Sequence, residues 1–148
     1  MASATFQPLA DSNSPLELDG KLLSSQRALE VVRLRHHPQT GAARQLAATV
    51  ETADSALAQL RGLMFRRSLP DGYALAFRFG SVRSRDVHML FVFVPLDVIW
   101  VVDGVVERVE RLRPWRGIAR SEADLLLELP AGAADGVESG DELVLEPT

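Results

Sequence analysis

The sequence predicts a mainly β (α+β) fold: a compact antiparallel β-barrel or sandwich with one main α-helix and a short helical turn. Three observations carry this expectation. Seven or eight short apolar segments lie between residues 29 and 146, most alternating with the period of two that a half-buried strand requires. Turn formers such as Pro70-Asp71-Gly72 and Asp103-Gly104 separate them. Only the stretch 54–66 spaces its apolar residues by three and four. Many short strands joined by tight turns favour a small barrel or sandwich.

The elements follow in chain order. Residues 1–15 mix Ser, Pro, Asn and Ala without periodicity, and 16–26 are weakly specified. Residues 1–26 are therefore expected to form a flexible or weakly ordered leader, with 27–148 as a single domain. "LEVVRLR" (29–35) and "RQLAATVET" (44–52) read as strands joined by the turn residues of "HPQTG", a hairpin. Asp54 is placed to cap a helix, whose stripe Leu57, Leu60 and Met64 would end near Phe65 or Arg66 after Gly62 weakens the last turn. "YALAFRF" (73–79) is a strand with Tyr73, Leu75, Phe77 and Phe79 on one face, and "GSVRSR" (80–85) reads as a loop. "VHMLFVFV" (87–94) looks like a strand covered on both faces, stopped by Pro95. "DVIWVV" and "VVERVERL" flank Asp103-Gly104, the strongest hairpin signal in the chain. "RPWRG" is a turn, "ADLLLEL" a strand, "PAGAADG" one helical turn from Pro130 to Gly136, and "ELVLE" the closing strand.

Composition narrows the chemistry. With no cysteine among 148 residues, disulfides, thiolate catalysis and zinc-thiolate sites are excluded. The net charge of −4 hides an asymmetry: residues 61–120 carry 11 Arg against 6 acids, while 121–148 carry 8 acids and no Lys or Arg. Fifteen arginines against the single Lys21 suggest an archaeal or G+C-rich host. The N-terminus lacks the basic and apolar regions of a signal peptide, and no apolar run approaches the ~18 residues of a membrane span. A cytoplasmic monomer without membrane association is therefore expected. The arginines of the middle alternate with strand residues and bring no aromatic stacking series, so nucleic acid is not expected as a partner either. No G-x-S-x-G, P-loop, H-E-x-x-H or G-x-G-x-x-G string is present, and no cofactor or metal is expected.

Five residues are candidates for a ligand site because each sets a polar group into an apolar string: Arg61, Arg66, His88, Asp97 and Glu128. The plainest reading has Leu63, Met64 and Phe65 packing the helix on the sheet while Arg66 and Arg67 enter solvent. Arg61 is expected to have a carboxylate partner, Asp97 or Glu128. His88 reads as a neutral core histidine, and His36-His37 as a solvated hairpin end. Asp97 would accept backbone N–H bonds at the bend after Pro95. Three functions stay open: a module binding a small molecule or anion between the helix end and the His88–Asp97 strands; a hydrolase-like enzyme with Asp97 or His88 as base; and an interaction scaffold anchored by Trp100 and Trp115.

Three strings in order also resemble a known family. Arg61-Gly62-Leu63-Met64-Phe65-Arg66 with Leu69-Pro70 resembles the opening motif of the uncharacterised family catalogued as domain of unknown function 192. Pro95-Leu96-Asp97-Val98-Ile99 with Asp103-Gly104-Val105-Val106 is similar to its central motif, and Glu128-Leu129-Pro130-Ala131-Gly132 with Gly140-Asp141 to its closing one. The resemblance implies a compact, mainly β fold and no established reaction. Where many bacterial members carry an aromatic-Met-Lys-Asn-Thr string, this chain has Val87-His88-Met89-Leu90-Phe91-Val92-Phe93, so contacts made by that Lys, Asn or Thr would be lost here.

Overall fold

The computed structural model describes residues 32–53 and 62–148. The expected leader, most of the expected main helix and Arg61 lie outside the described residues. Among the described residues seven strands form the fold: β1 (Val32–His37), β2 (Arg44–Thr52), β3 (Tyr73–His88), β4 (Leu96–Val102), β5 (Val105–Leu112), β6 (Ile118–Pro130) and β7 (Glu142–Pro147). They hydrogen-bond in the order β1-β2-β3-β6-β4-β5-β7, and β7 returns to β1, so the sheet closes into a barrel-like ring. Between β5 and β7 the ladder is one pair, Val105↔Glu142. Val106 N–H to Asp141 O (2.8 Å) and Leu143 N–H to Gly104 O (2.9 Å) reinforce it.

Two features of the predicted architecture are corrected. β2 and β3 run parallel, Thr49↔Tyr73 to Thr52↔Ala76, so the sheet is not wholly antiparallel. A parallel pair needs a long crossover, and the chain between Thr52 and Tyr73 supplies it. Neither expected helix appears among the described residues. Residues 62–65 form a turn in which Gly62 and Phe65 have φ of 45° and 66°, values that end any right-handed helix. Residues 131–136 are successive turns, with Gly132 and Gly136 also at positive φ.

The buried side chains fall into two groups. One draws on all seven strands, including Leu34, Val50, Ala76, Ile99, Leu127 and Leu143, and fills the ring. The other gathers Leu75, Phe77, Val98, Trp100 and Leu126 from the opposite face of β3, β4 and β6, under a cover formed by Leu63, Met89 and Val92. This explains why "YALAF", "LDVIWVV" and "LLLELP" are nearly continuous apolar strings: their strands are covered on both faces. The string assigned that role from sequence, 87–94, is instead the end of β3 and an irregular loop. The expected loop 80–85 belongs to β3, bulged so that Arg78 faces Leu125 and Arg83 faces Ala123 on β6. Trp100 lies at 0% exposure and donates its indole N–H to Arg85 O at 2.9 Å.

Candidate functional site

Glu128 is set on β6 between Leu127 and Leu129, which point into the ring, so alternation turns its carboxyl toward the second apolar group. A cavity of about 320 Å³ opens there. Phe77, Phe79, Leu96 and Leu126 line it from the strands, Met64 and Met89 from the covering segments, and Arg85, Asp86 and His88 from the end of β3. Glu128 is 7% exposed, and its Oε2 has no hydrogen-bond partner among the described residues. Burial raises its pKa from 4.5 to about 7, against the opposing charge of Arg66. Above it passes the backbone of Gly62, where an added Cβ would stand 3.4 Å from Phe77 Cζ and 3.5 Å from Glu128 Oε2. A side chain at that position would intrude over the carboxyl.

At the mouth the polar groups are mostly engaged. Arg85 donates to Ser81 O (3.0 Å) and its guanidinium lies 3.8 Å from the centre of the Phe79 ring. Asp86 pairs with Arg120 across the β3–β6 ladder, with Nη2 donating to Oδ2 at 2.8 Å. His88 is exposed at the rim, not buried in the core as expected.

The other candidates are placed elsewhere. Asp97 is 2% exposed and fully engaged: Arg111 donates through Nε at 2.8 Å and Nη2 at 3.3 Å, and the N–H groups of Gly132 and Ala134 donate at 2.9 and 3.0 Å. It does not line the cavity, and its guanidinium partner is Arg111, which sequence reasoning did not single out. Arg66, expected in solvent, donates to the Tyr73 hydroxyl at 3.1 Å and makes a 3.5 Å contact with Glu51. Tyr73 in turn donates to Glu51 at 2.8 Å; burial, with that bond, pushes its pKa up to about 12. His36, expected at a solvated end, is 2% exposed and donates to Asp141 Oδ2 at 2.7 Å. Burial pushes the Asp141 carboxyl up, but the bonds from His36 and from the N–H groups of Glu138 and Gln39 outweigh it and hold the pKa at about 2. Among the described residues, no three metal-ligating His, Asp or Glu side chains come together.

Comparison with known proteins places this geometry. Residues 37–145 match the profile of the family described as "Uncharacterized ACR", domain of unknown function 192. A solved structure from Sinorhizobium meliloti 1021, described as that of a proposed transcription regulator, is 30% identical over 78% of this chain and 95% of its own, with a TM-score of 0.70. A protein of unknown function from Novosphingobium aromaticivorans DSM 12444 shares the fold at 24% identity, covering 77% of this chain and 84% of its own with a TM-score of 0.66. No curated protein matches.

Proposed function

The chain belongs to the family of domain of unknown function 192, and from that premise we propose that its domain binds a small molecule offering a hydrogen-bond donor to Glu128. The observation behind this is the buried Glu128 carboxyl, with an oxygen that has no partner among the described residues, at a cavity lined by both apolar and polar side chains. Binding pockets are mostly apolar with a few polar groups that fix orientation, and about 320 Å³ falls at the small end of their range. An unsatisfied buried oxygen costs free energy that a ligand donor would recover. Near neutral pH the carboxyl is shared between its protonated and ionised forms, and the ionised form repels anions. The donor-bearing ligand is therefore preferred to the anionic one expected from the arginines.

A second reading draws on the same pKa. A carboxyl titrating near 7 suits a general acid or base, and His88 lines the same cavity. Asp97 has no place in it, being committed to Arg111 and two backbone N–H groups. The binding reading is preferred because, among the described lining side chains, Ser84 supplies the only hydroxyl that could serve as a nucleophile.

The test is a thermal-shift screen of small aromatic amines and amides against matched carboxylates. Donor compounds should raise Tm by mass action, and Glu128→Leu should abolish the rise. A larger rise with carboxylates, or an undiminished rise in Glu128→Leu, would overturn the proposal.

A further inference from the structure

Three loops, 62–66, 89–95 and 113–117, meet over the second apolar group and expose Phe65, Leu90, Phe91, Phe93 and Trp115, with Ile118 beside them. The other exposed large hydrophobics among the described residues are only Val82 and Val105, so the apolar surface is concentrated here. Its rings form one cluster: Phe65 stacks on Phe91 at 5.3 Å, and Trp115 meets Phe91 at 5.4 Å and Phe93 at 5.3 Å. Backbone bonds fasten the loops together, Phe65 N–H to Phe91 O (2.9 Å), Trp115 N–H to Met89 O (3.0 Å) and Met89 N–H to Gly117 O (2.8 Å). Phe65, Phe91 and Trp115 all hold positive φ, 66°, 61° and 67°, a conformation bulky side chains resist. Strain repeated at three exposed aromatics marks a surface selected for something other than stability.

The three loops themselves carry charge of one sign, although Glu51 of β2 lies 3.5 Å from Arg66. No Asp or Glu occurs in residues 62–67, 87–95 or 113–118, which together contain Arg66, Arg67, Arg113 and Arg116. Arg67, Arg113 and Arg116 are exposed. We propose that this face docks on an anionic lipid bilayer, its rings entering the interfacial layer while the arginines meet lipid phosphates. Aromatic side chains favour the membrane–water interface, and basic residues beside it gain from the negative surface potential. A second copy of the chain would bring like charges together around the same patch. Single-stranded nucleic acid needs free ring faces, whereas these rings are packed against one another and the aliphatic Leu90 and Ile118 offer no face. Docking of this kind needs no spanning segment, and no helix among the described residues is long and apolar enough to cross a membrane.

The two tryptophans supply the readout. Trp100 is fully buried and Trp115 is 46% exposed, so a change in emission on docking reports Trp115. The full chain is mixed with vesicles of phosphatidylcholine and phosphatidylglycerol in equal parts, and with phosphatidylcholine alone. Sedimentation with the anionic vesicles and a blue shift that Trp115→Phe removes are expected. Arg113→Glu with Arg116→Glu should reduce partition by about tenfold or more, as should raised salt. If that pair lowers Tm, Arg113→Gln with Arg116→Gln gives the same test without reversing charge. Absent binding, equal binding to neutral vesicles, or preference for a single-stranded oligonucleotide over vesicles would overturn the proposal.

Discussion

Glu128 and Asp97 are both carboxylates in apolar strings, yet the fold treats them oppositely. Asp97 accepts two bonds from Arg111 and two from backbone, whereas Glu128 Oε2 accepts none among the described residues. Removing Asp97 leaves the Gly132 and Ala134 N–H groups without their acceptor and Arg111 with Asp135 alone, so Asp97→Ala should cost about 2–4 kcal/mol in urea unfolding. Arg111→Ala should cost less, because its side chain is 52% exposed and the two backbone donors still hold Asp97. Glu128 works the other way. Its folded pKa of about 7 stands above the ordinary 4.5, so folding favours the protonated form. That contribution is complete below pH 4.5 and is lost as pH rises through 7, a fall of about 3 kcal/mol by pH 9. Glu128→Gln should remove most of this pH dependence and leave the variant more stable than the wild type at pH 9. Parallel unfolding curves at pH 5 and 9 check it.

At the scale of elements, the β4–β5 hairpin shows how a turn and a bulge together choose a salt bridge. Asp103 and Gly104 have φ of 49° and 81°, as the two-residue turn requires. An added Cβ at Gly104 would meet only Leu143 O, at 3.9 Å, so conformation and not space forbids a side chain. Gly104→Val should therefore cost about 1–3 kcal/mol, measurable as a fall in Tm. A plain hairpin from that turn would set Asp97 opposite Glu110. The irregularity between Trp100 and Val101 shifts the register, so that Asp97 faces Arg111. The turn was legible because Asp-Gly has a local preference. The bulge was not, because no residue type at 100–108 demands it. For the same reason Gly80-Ser81 suggested a loop where β3 only bulges.

For the whole molecule, closure depends on the last strand. β7 pairs along β1 from Val32↔Pro147 to His37↔Glu142, and Asp141 beside it receives the buried His36. Ending the chain at Gly140 would remove both, opening the ring and uncovering the apolar interior that all seven strands share. Such a truncation should lose cooperative unfolding, seen as the absence of a thermal transition by near-ultraviolet circular dichroism. The ring also joins distant segments, β1 to β7 and β3 to β6, so refolding of the intact chain should take milliseconds to seconds in stopped-flow fluorescence.

The sequence by itself determined the mainly β character, most strand positions, the Asp103-Gly104 turn and the family, since these rest on local periodicity, turn preference and short motifs. It also marked Glu128 and His88, though not that they line one cavity. Tertiary structure alone decided the parallel β2–β3 pair, the pairing of Asp97 with Arg111, the burial of His36, and the exposure of Phe91 and Phe93 from a string as apolar as any strand. An apolar run states only that some neighbour or solvent boundary awaits it. Which one it meets depends on register and on segments far along the chain, and neither is written in the run itself.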